Sequence, residues 1–536
     1  MSLYHCNNCQ KSFEHSSGKP RCPDCLRQHG LEAATPSNKQ KEKRKRRPTV
    51  GARRRLPWAL GLSCVVLLTL LALVFVRSRT DLPKPGQLAI LDEVVLRQTL
   101  IQRGIPSDRL VNPFKPGDAV TALANAKLKE GDSKAKIKQL ASAVAAQIKH
   151  LKVDLSGNFE HPVRGAEKLA AALKSGEAKR VFDLELAFLF STILRQHGFA
   201  ALIAEAHSLE APVRSAAANG AVGRYLVVVY PKGKLGKTPL ITLDPARATA
   251  LPDWAGGGED PDMESKADDA TSLDDASAVA HLMSLRALQW RRTEKRLPEA
   301  YEQVELAVRA ASPSATLLMA QALVLATSGG MNDAVSKAQA ALALRDDAPR
   351  NAGLGEILLG AGKAAEGLSR LENALKKDPA YWPALRSLTS LRWFAREREA
   401  GNKLLDQALK IAPNEFEILK AQGLRRLMEN NCEAAVRILR RVLAEYAAAQ
   451  VRLQLYVCLK RLGKDDEAQT ERVELLKRAA EDGTTEEIKQ ALAAIEKGAA
   501  TSPQPTPDTS SPPLAPPPRR KMPQRLKLPD VNLGSP

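Results

Sequence analysis

Apolar and small side chains return along the second half of the chain with a period of 34 residues. Gly355 and Gly423, for example, stand two such periods apart. A period of this length predicts a series of antiparallel helix pairs, one pair per repeat. Small residues let the paired helices approach closely, and a proline ends the second helix before the next pair begins. Four positions show the repeat in two successive copies: Leu371, Ala374, Leu375 and Pro379, then Leu405, Ala408, Leu409 and Pro413.

This pattern resembles the tetratricopeptide (TPR) repeat. We expect about five to six units over roughly 285–480, in an all-α superhelical domain assigned to 281–480, with a C-terminal helix over 481–500. The large aromatic residue of the family's first helix is mostly absent here, which leaves the unit boundaries open. The resemblance implies a concave surface that binds proteins or peptides. A structural spacer is the alternative interpretation.

Residues 57–76 form a run of twenty uncharged residues, long enough to span a bilayer as one helix. The run begins too far into the chain, and is too long, for a cleaved signal peptide. It follows a basic tether assigned to 33–56, where ten Lys/Arg and one acid lie between Lys39 and Arg55. The positive-inside rule then predicts a single-pass protein of a bacterial inner membrane, with a cytoplasmic N-terminus and periplasmic C-terminal domains. Binding of the tether to anionic headgroups is favoured over nucleic-acid binding.

The first 25 residues contain two CxxC pairs, separated by twelve residues. Four thiolates complete a tetrahedral zinc shell, and metal binding would supply the folding free energy of so small a segment. We therefore predict structural zinc in a zinc ribbon over 1–32, with disulfides or rubredoxin-like iron as alternatives. The segment resembles small zinc ribbons at the N-termini of bacterial membrane proteins, which implies a module for a cytoplasmic partner. The predicted ligands are Cys6, Cys9, Cys22 and Cys25.

The three other cysteines have simpler interpretations. Cys64 lies inside the predicted span as a small apolar residue. Cys432 and Cys458 lie in the repeat region, where we expect buried helix residues rather than a catalytic pair. An oxidising compartment also leaves a disulfide between them open.

Two segments have the composition of connectors or tails. Residues 254–280 are rich in glycine and acidic residues and are predicted to be a linker. Residues 501–536 are rich in proline, serine and threonine, and cannot bury enough apolar surface to fold. We expect this tail to be disordered.

The middle region, 85–253, mixes helical and strand patterns. Helical periodicity dominates 88–102, 136–150 and the later part of 165–198. Strand-like runs follow at 200–204, 225–230 and 239–243, and the last ends at Asp244-Pro245. This order predicts an α+β domain.

The order of elements resembles the transglutaminase-like cysteine-protease superfamily. Its members have a cysteine at the start of a helix ending in Arg-x-x-Gly, a histidine before a strand, and an aspartate near the end of the next strand. Here the matching positions hold Asp183, Arg224 and Asp244. No cysteine lies between Arg77 and Asn431, so no shift of the alignment supplies a thiol. The resemblance therefore implies a pseudoenzyme without catalytic residues.

Two chemical expectations follow from these substitutions. A carboxylate is a weak nucleophile towards amides, and an arginine stays protonated and cannot act as a base. We expect Asp183 and Arg224 to form an ion pair with less than about 6 Å between their charged groups. His197, on the helix, and His207, in a polar loop, are the two histidines of this domain that we consider as candidates for a catalytic role. We interpret both as non-catalytic. The alternative is a generic α+β domain in which Asp183 begins a helix.

Taken together, the sequence predicts a multidomain, α-rich membrane scaffold that mediates protein–protein interactions, as part of an envelope motility or secretion assembly. The low aromatic content, 4%, agrees with helices packed on helices. One alternative is a divergent extracytoplasmic hydrolase or peptide-modifying enzyme that uses Asp183 with Asp244. Another is a membrane-tethered nucleic-acid-binding protein, suggested by the zinc ribbon, the basic tether and the net charge of +20.

Overall fold

The computed structural model divides the chain into two compact units, Met1–Thr80 and Asp81–Pro536, which are described separately. The predicted membrane span, most of the basic tether, the linker up to residue 269 and the C-terminal tail lie outside the described residues. The described residues are 2–6, 12–15, 31–33, 82–84, 87–125, 130–154, 162–206, 220–231, 234–235, 238–248, 270–291, 296–444, 448–482 and 485–500.

The first unit contains a three-stranded antiparallel sheet in the order β2-β1-β3. Its strands are Ser2–Cys6 (β1), Ser12–His15 (β2) and Leu31–Ala33 (β3). Cys6 ends β1, whereas the other three predicted zinc ligands lie outside the described residues. Within the described part of the chain, no group of three or more potential metal ligands comes together. The zinc site stays a prediction.

Among the residues that the structure describes, no helix is both long enough and apolar enough to cross a bilayer.

The second unit begins with an α+β part. Its helices are α1 to α5, and α5 is followed by the strands of the main sheet. The elements are Glu93–Gln102 (α1), Asp118–Ala124 (α2), Ser133–Ile148 (α3), Lys152–Val153 (β4), Ala166–Lys174 (α4), Arg180–Val181 (β5), Asp183–Gln196 (α5), Ala200–Ala206 (β6), Arg224–Tyr230 (β7), Ile241–Leu243 (β8), a 3₁₀ turn at Pro245–Ala248, and Ala270–Ser272 (β9). The predicted helices and all three predicted strand runs are present.

The main sheet is antiparallel, with strand order β8-β7-β6-β9. Helix α5 packs against β6 and β7. Alternate residues of β7 enter different cores: Val227 and Val229 join the large core with α5, whereas Val228 and Tyr230 form a smaller one on the other face. Strands buried on both faces are rich in valine and leucine, as YLVVVY is. The sheet therefore lies inside the molecule.

The rest of the second unit is helical. Twelve helices form six consecutive pairs in the described residues, and one more helix follows them. They are Asp275–Trp290 (α6), Leu297–Ala310 (α7), Ala315–Thr327 (α8), Met331–Leu344 (α9), Ala348–Gly360 (α10), Ala364–Lys377 (α11), Trp382–Phe394 (α12), Arg398–Ile411 (α13), Phe416–Met428 (α14), Cys432–Leu443 (α15), Ala449–Arg461 (α16), Asp465–Asp482 (α17) and Thr485–Ala500 (α18).

The helix bounds confirm the predicted repeat. From α8 onwards, the first helices of successive pairs begin 33 or 34 residues apart, and so do the second helices. Each helix packs most extensively on the other helix of its pair. Pairs of antiparallel helices at this period are the arrangement of tetratricopeptide repeats.

Glycines permit the closest approaches within these pairs. A side chain at Gly355 would place its Cβ 3.0 Å from the carbonyl oxygen of Gly367 on the partner helix. Gly423 occupies the same repeat position two periods later. A Cβ there would lie 2.5 Å from the end of the Leu439 side chain on the partner helix. The close approach at Gly355 involves backbone of the partner helix, which gives way less easily than the end of the Leu439 side chain that faces Gly423. Glycine at this repeat position therefore favours close packing of the two helices, most strongly at Gly355.

The boundary between the α+β part and the repeats differs from the prediction. The predicted linker, 254–280, contains β9 and the first turn of α6, and the predicted repeat domain begins at 281, inside α6. Asp274 caps α6 and is buried rather than solvated. One hydrophobic core extends from Leu96 in α1 to Leu358 in α10. The two parts therefore share a single core. Asp274 and Asp275 are buried at this junction because each is paired with an arginine of the α+β part.

The turn inside each of the last five helix pairs contains a residue with positive φ. At three turns it is glycine, which adopts this conformation without cost. The other two turns carry Arg396, with φ 63°, and Asn430, with φ 57°. Asparagine tolerates the left-handed region, whereas an arginine there costs roughly 1–2 kcal/mol. The turn between α12 and α13 is therefore strained.

We predict that Arg396→Gly raises the free energy of unfolding by about 1 kcal/mol, because it relieves this strain. Urea denaturation of the full chain, followed by circular dichroism, measures the change. Asn430→Gly is the matched control and should give a smaller gain. An unchanged or lower midpoint for Arg396→Gly would show that the arginine conformation carries no strain.

Candidate functional site: a buried aspartate–arginine–aspartate cluster

The N-terminus of α5 is the most buried helix start in the α+β part. Every residue from Asp183 to Leu194 is buried. Glu185 holds the helix end in place: it accepts a hydrogen bond from the backbone N–H of Phe182 at 2.7 Å, and it pairs with Arg164 at 3.0 Å. Because these contacts fix the first turn of α5, the backbone that carries the Asp183 side chain is held in place.

Asp183, Arg224 and Asp244 meet at this helix end. Nε of Arg224, the first residue of β7, donates to Oδ2 of Asp183 at 2.6 Å. Nη2 of Arg224 lies 3.4 Å from Oδ1 of Asp244, which directly follows β8. The backbone N–H groups of Tyr225 and Ala246 donate to Asp183 and Asp244 at 2.8 and 3.1 Å. The ion pair expected between Asp183 and Arg224 is present, and the third predicted position joins it.

The cluster holds two carboxylates and one guanidinium, all nearly inaccessible to solvent. Burial raises the pKa of Asp183 to about 6; Asp244 acts in the same direction, and Arg224 and the Tyr225 N–H oppose it. Burial acts to lower the pKa of Arg224, but the charges of Asp183 and Asp244 outweigh it, so this pKa is raised. The arginine stays charged, and Asp183 takes up a proton as the pH falls below about 6.

Two properties of these residues bear on catalysis. Arg224 cannot accept a proton, so it cannot act as a general base. Oδ2 of Asp183 already accepts two hydrogen bonds, from Arg224 and from Tyr225. Its other oxygen, Oδ1, is buried without a hydrogen-bond partner among the described residues. A carboxylate held in this way is poorly placed to attack a substrate.

The predicted histidines are not part of the cluster. His197 lies at the opposite end of α5, where Nε2 is 2.9 Å from the carbonyl oxygen of Ala124. It is partly buried rather than a surface residue. His207 lies outside the described residues.

His281, which is buried in α6, was not among the residues predicted from the sequence. Its Nδ1 is 2.7 Å from the hydroxyl of Tyr225, the residue after Arg224. Burial lowers the pKa of His281, so its ring is neutral near pH 7. A signal for this contact was present: His281 stands inside the apolar run AVAHLMSL, where a polar side chain needs an internal partner.

Further buried ion pairs join the α+β part to the repeats. Glu205 in β6 accepts from Thr316 in α8 and lies 3.4 Å from Nη2 of Arg350 in α10. Arg350 also pairs with Asp347 at 2.9 Å. Because truncating one partner of a buried pair is costly, these contacts hold the first repeats rigidly against the sheet.

The two aspartates at the start of α6 form the same kind of link. Asp275 pairs with Arg195 of α5 at 2.6 Å, and Asp274 pairs with Arg103 at 2.9 Å. Burial raises the pKa of Asp275, against the opposing effect of Arg195. Each pair joins residues that are far apart in the chain, so no local sequence pattern predicts it.

The repeats form an inner surface from their first helices. In the described part, the first helices α8, α10, α12, α14 and α16 contact one another from pair to pair more closely than the second helices do. Arg386 of α12 bridges this surface, at 2.8 Å from Glu356 of α10 and 3.3 Å from Glu417 of α14. Ser390 and Phe394 follow Arg386 at intervals of one helical turn. The Phe394 side chain is 82% exposed, the largest exposure among the large apolar residues described.

No family model matches the chain, and no curated protein matches it. Three similar solved structures are PilF of Pseudomonas aeruginosa, a TPR protein of Thermus thermophilus (TTC0263), and PilW, described as a type IV pilus biogenesis factor. They are 16%, 17% and 17% identical, over 40%, 35% and 39% of this chain and 97%, 100% and 98% of theirs. The TM-scores are 0.31, 0.29 and 0.31. By its own helix bounds, the chain contains a tetratricopeptide-type repeat array with an α+β part built onto it.

The raised pKa of Asp183 predicts a pH dependence of stability. Between about pH 4 and 6 the unfolded chain loses this proton while the folded chain keeps it, so stability falls as pH rises and levels off above 6. The loss is about 3 kcal/mol at full ionisation. Asp183→Asn keeps an acceptor for Arg224 but removes the titration. From pH 4 to 7.5, the free energy of unfolding of the variant minus that of the wild type should therefore rise by about this amount.

Thermal or urea unfolding of both proteins across this range measures the difference, and titrations elsewhere cancel in it. Asp466→Asn, at an exposed position of α17, is the matched control for the loss of a surface carboxyl group. If the difference between Asp183→Asn and the wild type stays constant with pH, the carboxyl group does not titrate in this window.

Proposed function

We propose that the chain is a scaffold that binds proteins or peptides on the inner face of its repeat array. The support is the surface formed by the first helices, where Arg386, Ser390 and Phe394 follow one face of α12. Aromatic side chains and arginine are enriched in protein interfaces, so an exposed phenylalanine on the same face as an arginine favours a binding role. The strained turn at Arg396 directly follows Phe394 and supports the same location.

We propose further that the α+β part is a transglutaminase-like pseudoenzyme. Asp183 begins the helix that would carry the nucleophile, Arg224 begins the strand that would carry the histidine, and Asp244 follows the next strand. The observation that carries this proposal is the buried 2.6 Å contact between Asp183 and Arg224. It fills the place of a nucleophile and its base with two groups that cannot transfer a proton between them near pH 7.

The remaining parts of the proposed architecture are supported by the sequence alone. They are the zinc ribbon, the single membrane span, the cytoplasmic N-terminus and the periplasmic location of the second unit. Four thiolates would hold zinc as a structural ion, closed to substrate. With these parts, the scaffold would link a cytoplasmic partner to an envelope assembly concerned with motility or secretion.

The pseudoenzyme proposal predicts that the full chain has no transamidase or peptidase activity above that of Asp183→Ala. Fluorescent amine incorporation into casein and release from a mixed peptide library measure the two activities, with an active transglutaminase as positive control. Activity in the wild type that is lost in Asp183→Ala would support the alternative, a hydrolase using Asp183 and Asp244. Two carboxylates with separated pKa values have the chemistry for that role.

The scaffold proposal predicts that Phe394→Ala lowers partner binding about tenfold, the effect of losing one aromatic anchor. The tagged full chain is used to capture proteins from membranes of the source organism, and captured proteins are quantified by mass spectrometry. Because Phe394 is exposed, the substitution should leave the unfolding midpoint unchanged.

Leu344→Ala is the matched control. Leu344 is an exposed apolar residue at the end of α9, a second helix away from the inner face. It should leave the captured set intact. Equal capture by wild type and both variants would contradict a binding role for the inner face around α12.

A further inference from the structure

We propose that Cys432 and Cys458 form a disulfide that joins the last two helix pairs of the array. Cys432 is the first residue of α15, and Cys458 lies near the end of α16. These helices belong to different pairs and pack directly on each other. An antiparallel arrangement brings the start of one helix next to the end of the other, which places the two cysteines side by side.

The two thiols are neighbours. Both cysteines are free and buried, and the Cys432 thiol lies near enough to that of Cys458 to contribute to the rise of its pKa. Their exposed fractions are 5% and 0%, and both belong to the core cluster formed by the last helices. A disulfide forms without backbone rearrangement only where two cysteine side chains already face each other at close range. The packing of α15 on α16, with one cysteine at the start of one helix and the other near the end of the next, brings this pair together within one core.

The bond forms by exchange with a disulfide-bearing oxidant, either a small molecule such as oxidised glutathione or a disulfide oxidoreductase. One cysteine thiolate attacks a sulfur of the oxidant, which forms a mixed disulfide and releases the first thiolate. The second cysteine thiolate then attacks the mixed disulfide at the protein sulfur and releases the second. Two protons leave the cysteines, and two electrons pass to the oxidant, which is reduced to two thiols.

Burial sets when this exchange occurs. It raises the pKa of the Cys458 thiol to about 12, so the thiolate is scarce in the folded protein. Only thiolates attack disulfides. The bond therefore forms before the last pair has folded, or when that pair opens transiently. Once formed, it is shielded from reductants by the same burial.

A bond at this place has a definite mechanical consequence. In a repeat array each unit contacts only its neighbours, so the terminal unit opens most easily. The last helices have a core of their own, from Phe416 to Leu492, separate from the large core. The disulfide lies inside this core, across the boundary between the last two pairs, and would close the end of the array against opening. This inference is independent of the scaffold proposal.

The test uses the purified full chain, refolded from denaturant with either oxidised glutathione or dithiothreitol. Free thiols are blocked with iodoacetamide under denaturing conditions, and tryptic peptides are analysed without reduction. The expected product after oxidation is the peptide LMENNCEAAVR linked to LQLYVCLK, which splits on reduction. The midpoint of thermal unfolding should be about 5 °C higher in the oxidised protein.

Two variants separate this bond from other oxidation. Cys458→Ala should lose both the linked peptide and the difference between oxidised and reduced midpoints. Cys64→Ala, which alters a cysteine outside the repeats, should keep both. Full alkylation of Cys432 and Cys458 after oxidative refolding would overturn the proposal. Separate glutathione adducts on the two residues, or links to the N-terminal cysteines, would overturn it as well.

Discussion

The buried guanidinium of Arg224 is the constraint on which the α+β part depends. A charge removed from water is tolerated only when it is paired and hydrogen-bonded. Arg224 meets this condition only if the start of β7, the start of α5 and the end of β8 converge on one point. Fold and cluster thus require each other: the central helix cannot shift along the sheet without leaving the arginine unpaired. Since losing one partner of such a pair costs about 3–5 kcal/mol, the arrangement tolerates little variation.

The same principle joins the α+β part to the repeats. Glu205 on the sheet and Arg350 on α10 are buried together, and the start of α6 is held by two further pairs. The first helix pairs also contribute to the large hydrophobic core. A repeat array without such a partner is held only by contacts between neighbouring units. Here its first units are set in one orientation by the sheet, so a surface on α12 has a defined position relative to the Arg224 cluster.

Local pattern predicted the parts of the fold that local physics decides. The recurrence of Leu371 and Ala374 predicted the helix pairs, because packing inside a repeat depends on positions one period apart. The pairing of Asp183 with Arg224 was predicted because a resemblance placed opposite charges at facing positions. Asp275 falls within the predicted linker, although its side chain is buried against Arg195, 80 residues away in sequence. His281 was missed for the same reason. Contacts between residues so distant in sequence produce no periodic pattern. Without such a pattern, an acidic segment is predicted to be exposed to solvent.

The proposed relationship to cysteine enzymes would explain the order of charges in the cluster. In such an enzyme the helix start carries a thiolate and the facing strand an imidazolium, a negative charge opposite a positive one. Asp183 and Arg224 keep this order of charges, and the carboxylate still lies at the positive end of the helix dipole. What the substitution removes is exchangeable chemistry, since the guanidinium does not give up its proton near neutral pH. Under this proposal, the electrostatics that hold helix and sheet together would be retained, while the proton transfer that catalysis needs would be lost. Asp244, which would orient the imidazole in the enzyme, would serve as a second counter-ion to the arginine, and three catalytic positions would become one structural ion cluster.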